Sequence, residues 1–430
     1  MKITSVHATW VHVPIPYERQ HVSDFGRVAS FDSVVVKIVA DSGLVGWGEA
    51  KAGVGSSSSA HGLAAIINRD YAPLLVGQDP RDVSRLWDVM YNTPREGYAL
   101  DRGHVLPQLG RRGLSISAIA GVDLALWDLL GKSLGAPVWR LLGGRRAERM
   151  PAYASGGWAD EAHIGEQLQG YVDKGGFRAV KMRVGVMDGE PRASAARVRA
   201  ARRALGPDVK LMADAHGTWT VAEAKAFCRM VEDCDLYWLE EPVTADDKAG
   251  LAEVRRSSAV PISTGESEFT RHDFREIAEL RGADVLQPDL AIAGGLTEGV
   301  RIGAIAAAYN LRLAPHLWSG APAFAAGGRP RRESDDRLHP RILARRQSAS
   351  ARAGRREVSG GRRVRGDPRP SRAGHHRRRI VRAPVRARVA RWRGVSARSM
   401  LLCGWAPSGH PSHRAHSPST LLVAIGARWA

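Results

Sequence analysis

Residues 178–216 read RAVKMRVGVMDGEPRASAARVRAARRALGPDVKLMADAH. A short apolar run, RAVKMRV, is followed by a helix-forming stretch and then by a second apolar run, KLMADA. The same unit recurs from Pro151 onward, with strand-like runs PAYAS, RAVKMRV, KLMADA, LYWLEEP, PISTGES, VLQPDL and RLAPHL. Strands alternating with amphipathic helices specify parallel pairing through crossover connections. Seven such units in series point to a barrel more than to an open sheet. No glycine-rich phosphate loop follows the first strand of a unit. Gly294-Gly295 opens a helix after the sixth strand and does not by itself define a phosphate site.

The strands share a chemical feature at their ends: Lys181 and Arg183, then Asp214, Glu240, Glu266, Asp289 and His316. The intervals from Asp214 onward are 26, 26, 23 and 27 residues, about the length of one strand–helix unit. These residues therefore fall at one level of successive strands. In a parallel barrel that level is the C-terminal mouth, where active sites lie. A single acid after a strand is usually a helix cap, but six units in register are not explained that way. Three carboxylates at one mouth require a cation. Hard oxygen ligands favour Mg²⁺, with Mn²⁺ as the alternative. The absence of Cys and His among the three argues against zinc. Such an ion acts as a Lewis acid on a substrate carboxylate.

Upstream, ITSVHATWVHVP, SVVVKIVA and LVGWGEA read as three antiparallel strands, with a turn at Asp41-Ser42-Gly43. Residues 59–135 read as helices. The run SISAIAGVDLALWDLLGKSLG has helical apolar spacing and ends at Gly135, with Pro137 beyond. This gives an α+β capping domain over 1–135 and a barrel domain over 136–326. No run approaches a membrane span, and no signal peptide is expected. Three cysteines, Cys228, Cys234 and Cys403, make no disulfide framework and fit a reducing cytoplasm.

The ordered motifs KMR, DAH, WLEEP, TGE, PDL and PHL on strands two to seven resemble the mandelate racemase subgroup of the enolase superfamily, the mandelate racemase/muconate lactonizing enzyme family. GVDLALWDLLGK and LLGG resemble that family's link from cap to barrel. The resemblance covers residues 1–326. It implies an α/β fold, a modified (β/α)7β TIM barrel with an N-terminal α+β cap. It implies Asp214, Glu240 and Glu266 as metal ligands and an Asp289–His316 dyad, with Lys181 and Arg183 on the opposite face of the substrate. The chemistry is removal of a proton α to a carboxylate, whose developing charge the site must stabilise.

Two positions depart from the pattern. Arg183 stands where a lysine base is common, and an arginine is almost always charged. That leaves His316 as the competent base and suits β-elimination of water from an acid sugar. Racemisation, epimerisation and cycloisomerisation are the alternatives. His216 stands where asparagine is usual, two residues after Asp214 and on the same face. It is read as a ligand for a substrate hydroxyl, as an acid, or as a helix-start hydrogen bond. The cap-loop residues Tyr17, Glu18, Arg19, His21 and Asp24 are polar, which suits a hydroxylated substrate. A homo-oligomer of the family type is expected where the barrel is intact.

After Ala326 the pattern breaks. The whole chain has 430 residues and net charge +19. Residues 327–430 hold 26 Arg, no Lys and 5 acids, a net of +21, which leaves −2 for the rest. This composition reads as out-of-frame translation. Codons exist for Arg332–Ser348 whose next frame reads ASPTTGFILEYSLGAN, a strand with an acidic residue. The expectation is a lost eighth strand, open edges on strands one and seven, and a disordered tail that binds polyanions nonspecifically. Lacking lysine and a recognition motif, the tail is not expected to bind nucleic acid specifically. An inactive relic is the alternative from another class.

Overall fold

A computed structural model describes residues 1–17, 20–24, 26–53, 59–93, 111–144, 151–320 and 422–425. The first sheet has the order β1 (Ile3–Pro14), β4 (Ser30–Ala40), β5 (Val45–Ala50), all antiparallel. A small hairpin, β2 (His21–Ser23) with β3 (Gly26–Val28), lies between β1 and β4 in the chain. Period-two alternation buries Val34, Val36, Ile38 and Ala40 on one face of β4. That face packs against the helix Leu114–Ser133, which buries Ile116, Ile119, Val122 and Leu126. The backbones meet closely. A Cβ on Gly48 would stand 2.0 Å from the carbonyl oxygen of Gly121, so the glycines of LVGWGEA and GVDLALW are required by contact. The helix ends as its sequence predicts. Gly135 takes φ +61, and Ala136 N–H donates to the Gly131 carbonyl at 2.9 Å, a Schellman closure.

The membrane reading needs one correction. Leu114–Ser133 is 20 residues long and apolar enough to span a bilayer by length and composition. Its apolar surface is buried between the sheet and neighbouring helices, so the fold uses it as a core helix.

The second sheet holds seven parallel strands in chain order: β6 (Ala152–Gly156), β7 (Ala179–Arg183), β8 (Lys210–Asp214), β9 (Leu236–Glu240), β10 (Ile262–Thr264), β11 (Val285–Leu286) and β12 (Arg312–Leu313). They curl into a half-barrel. Helices such as Pro191–Leu205 and Val221–Met230 lie between successive strands. Alternation separates two layers. Val180, Met182, Leu211, Ala213 and Leu239 face the helices, while Tyr153, Met212, Trp238, Val285 and Ala314 fill the interior. Lys181, Asp214 and Glu240 share the parity of the interior set.

Among the described residues no parallel eighth strand follows β12. The expectation of an open edge on the first barrel strand is corrected: β13 (Leu422–Ile425) pairs antiparallel with β6, from Leu422 opposite Ser155 to Ile425 opposite Ala152. An unpaired edge presents free backbone donors and acceptors that an apolar extended segment such as LVAI can satisfy. The rest of the expected disordered tail, 327–421 and 426–430, lies outside the described residues.

A helix start is one of the places where cap and barrel are joined. Gly294 and Gly295, both at positive φ, open the helix Gly295–Ala308. Asp123 of the long cap helix accepts from Thr297 N–H at 2.9 Å and from the Thr297 hydroxyl at 2.5 Å. Trp87 Nε1 donates to the Gly294 carbonyl at 2.8 Å, and Trp127 Nε1 to the Thr297 hydroxyl oxygen at 2.9 Å. The diglycine is therefore the seat of a protein carboxylate: a Cβ on Gly295 would stand 2.4 Å from an Asp123 oxygen.

Candidate active site

Asp214 and Glu240 end their strands, and Glu266, Asp289 and His316 follow theirs within three residues. All five are buried. Ligand atoms of Asp214, Glu240 and Glu266 lie within 4.8 Å of one another. Each carboxylate is held by neighbours. Trp238 Nε1 and Gln287 Nε2 donate to Glu240 Oε2 at 3.1 and 2.7 Å. Lys181 Nζ is 2.9 Å from Asp214 Oδ2 and also bridges to Glu240 Oε1. Arg183 Nη1 is 2.8 Å from Asp214 Oδ1.

Two histidines flank Glu266. His216, at φ +55, donates from Nδ1 to Asp24 Oδ2 at 2.6 Å and from Nε2 to Glu266 Oε1 at 3.0 Å. His316 donates from Nδ1 to Asp289 Oδ2 at 2.8 Å, and its Nε2 lies 3.2 Å from Glu266 Oε2. The Ala291 N–H, donating at 2.8 Å, fixes the other Asp289 oxygen.

The charges account for the proton affinities. Burial opposes the charge on His216, yet its bonds to Asp24 and Glu266 push its pKa up to about 10. His316 is raised likewise: burial works against it, and the Glu266 charge and the Asp289 bond prevail. Burial would raise Asp214, but Arg183 and Lys181 beside it hold it below the carboxylate range. Glu240 is raised by burial, which Lys181 only partly offsets. Burial disfavours the Lys181 ammonium, but Asp214 and Glu240 hold its pKa well above the ordinary value. The donor set is all oxygen, buried and convergent, with cationic side chains drawn onto it. It fits a hard divalent cation better than a soft one.

The predicted residues thus divide. Lys181, Arg183, Asp214, His216, Glu266, Asp289 and His316 line one cavity of about 230 Å³, and Glu240 lies with the other two carboxylates. Asp24 reaches the site from the cap through His216. Tyr17 does not line the cavity; it is 74% exposed, with Arg27 5.2 Å from its ring centre. Glu18 and Arg19 lie outside the described residues, as does the side chain of His21. His216 caps no helix: the next one, Val221–Met230, is capped by Thr220, whose hydroxyl closes a capping box with Glu223. The sequence reading missed Trp238, two residues before Glu240 on the same strand face, and Gln287, just past β11 and two residues before Asp289. It also missed Lys51 and Trp318, which line the cavity.

A half-barrel whose mouth gathers three carboxylates and a His–Asp pair under an α+β cap defines a class of metal-assisted enzymes acting beside a carboxylate. Residues 5–143 match the mandelate racemase/muconate lactonizing enzyme N-terminal domain, and residues 163–328 match the enolase C-terminal domain-like family. The chain is 34% identical over 333 residues to a D-galactarolactone cycloisomerase of Agrobacterium fabrum, covering 76% of this chain and 81% of that protein. It is 36% identical over 299 residues to a D-galactonate dehydratase of Ralstonia nicotianae, covering 68% and 73%. The crystal structure of an enolase superfamily member from Polaromonas sp. JS666 superposes with a TM-score of 0.68 at 31% identity, covering 76% and 82%. This chain belongs to the mandelate racemase/muconate lactonizing enzyme family and is an enzyme of the enolase superfamily. The matched residues end at 328, where the arginine-rich composition begins.

Proposed function

We propose that this enzyme is a Mg²⁺-dependent hydro-lyase that dehydrates an acid sugar, an aldonate or aldarate, to a 2-keto-3-deoxy acid. The observation that carries the reading is the pair of histidines on one cavity, each backed by its own aspartate. Relatives named as D-galactonate and arabinonate dehydratases support it. Asp214, Glu240 and Glu266 would hold the ion, which when bound supplies Lewis-acid polarisation of the substrate carboxylate.

The remaining steps belong to the chain. Asp289 takes the Nδ1 proton of His316 in a hydrogen bond, which fixes the ring and leaves Nε2 to accept the α-proton. Lys181 is cationic and faces the charge that develops on the substrate carboxylate. Arg183, paired with Asp214, binds and does not titrate. His216 carries protons on both nitrogens, held by Asp24 and Glu266. It hands one proton to the β-hydroxyl as the carbon–oxygen bond breaks. The α-proton goes to His316, water leaves, and the enol tautomerises to the keto acid.

The relatives named as cycloisomerases support a second reading, proton transfer without loss of water. Product analysis separates the two. NMR of acid-sugar reactions with Mg²⁺ in D₂O is expected to show a 3-deoxy-2-keto acid; an isomer of unchanged composition would sink the hydro-lyase reading. Cys228 and Cys234 are buried free thiols, which suits a reducing cytoplasm.

A further inference from the structure

The cavity has a second cationic wall that the reaction above does not use. Lys51 follows β5 directly, and its N–H donates to the Ala291 carbonyl at 3.1 Å, which ties the strand end to the loop after Asp289. Its side chain lines the same cavity as His316 and Asp214. Among the described residues no hydrogen bond or ion pair engages its Nζ, which lies 6.0 Å from the centroid of the Trp318 ring.

Three carboxylates stand near, and each is already engaged. Glu49 Oε1 accepts from the Ser33 hydroxyl at 2.6 Å and from Gly320 N–H at 2.7 Å. Asp32 accepts from Trp10 Nε1 at 2.6 Å, from His12 Nδ1 at 2.8 Å and from the Ser30 hydroxyl at 2.5 Å. Asp289 is committed to His316 and Ala291 N–H. Burial lowers the Lys51 pKa against the pull of Glu49, Asp289 and Asp32. Lys51 is half-buried, and a partly desolvated ammonium without a bonded partner is stabilised when a ligand supplies one.

We propose that Lys51 receives the second carboxylate of the substrate, so that the acid sugar taken by this site is a dicarboxylate, an aldarate. The inference rests on the acid-sugar reading above and specifies which acid sugar. One carboxylate is turned to the acidic cluster and Lys181. The other reaches the cap side of the cavity, where Lys51 and the serines of β4 lie. A neutral sugar terminus would leave the ammonium unpaired.

The test compares six-carbon aldarates with the aldonates of the same configuration, using the full chain with Mg²⁺. Calorimetry on the wild type is expected to show aldarates binding at least about tenfold tighter. Lys51→Met is expected to lower the aldarate-to-aldonate ratio of kcat/KM about ten- to a hundredfold, mainly through KM, as for loss of a charge-assisted bond. Lys51→Arg keeps the charge and is expected to preserve the ratio, which also covers a Met variant that fails to fold. A role in steadying the Asp289–His316 pair would lower kcat for both classes and leave the ratio unchanged, and that result overturns the proposal. So does a wild type that binds aldonates as well as aldarates. If neither class loses water but aldarates bind in a Lys51-dependent way, the carboxylate site stands and the dehydration reading falls. If aldonates alone are dehydrated, the reverse holds.

Discussion

Replacing Asp123 with asparagine tests the joint that fixes the cap to the barrel. Asp123 is fully buried, and burial raises its carboxyl to about 7 although Thr297 and Leu296 donate to it. In the unfolded chain the same group titrates near 3.9, as a free aspartate does. The folded state therefore binds the proton more tightly. The contribution to stability is fully present below the unfolded value and is lost as pH rises through about 7. The rise from near 3.9 to about 7 corresponds to roughly 4 kcal/mol over the whole span, of which about 2–3 kcal/mol falls between about pH 5 and pH 8. The asparagine side chain would still accept from Thr297 N–H and could donate to the Thr297 hydroxyl oxygen, but it does not titrate. Urea unfolding across that window is expected to give a stability difference, wild type minus Asp123→Asn, that falls by about 2–3 kcal/mol as pH rises. Parallel pH profiles for the two proteins would refute the argument. Asp123→Ala, which leaves buried donors at the helix start unpaired, is expected to cost about 2–4 kcal/mol more than Asp123→Asn, and its cost relative to wild type falls with pH in the same way.

Further outcomes follow from the site. His316→Asn removes the base and is expected to lower kcat at least about a hundredfold with little change in Tm; retained turnover would reassign the base. His216→Asn removes the acid but not the base. It is expected to lose dehydration about 10²–10⁴-fold while still exchanging the α-proton with D₂O, and loss of exchange together with dehydration would show that His216 is needed before the bond to oxygen breaks. Chelation by EDTA is expected to abolish turnover and lower Tm, with both restored by Mg²⁺; activity indifferent to chelator would remove the metal from the mechanism. Resequencing the region that encodes residues 315–350 is expected to reveal a missing or extra base, and a clean read in the present frame would end the sequencing-error explanation of the tail.

Six of the seven strand ends were legible because each repeats one local rule: a short apolar strand and a polar residue at its mouth, with 23 to 27 residues to the next from Asp214 onward. That spacing placed Asp214, Glu240, Glu266, Asp289 and His316 at one level before any geometry was known. Partners outside the repeat were not legible as partners. Asp24 was singled out only as a polar loop residue, yet it lies 192 residues from His216 and bonds to its ring. Lys51 closes a strand like many surface lysines, and only the fold turns it into a cavity. Nor could the antiparallel seat of Leu422–Ile425 be read from a four-residue apolar run.

Period and spacing act locally along the chain, and they suffice for the barrel class and the level of the acidic cluster; the pairing of Asp289 with His316 followed from the family resemblance. The role of Gly294-Gly295 needed the folded molecule: it seats Asp123 and no phosphate, 174 residues away in sequence from its Thr297 donor. So did the clamping of His216 between two carboxylates and the turning of Lys51 toward the substrate space. Those are contacts between distant segments, and their energies depend on burial and on which groups the fold leaves unpaired.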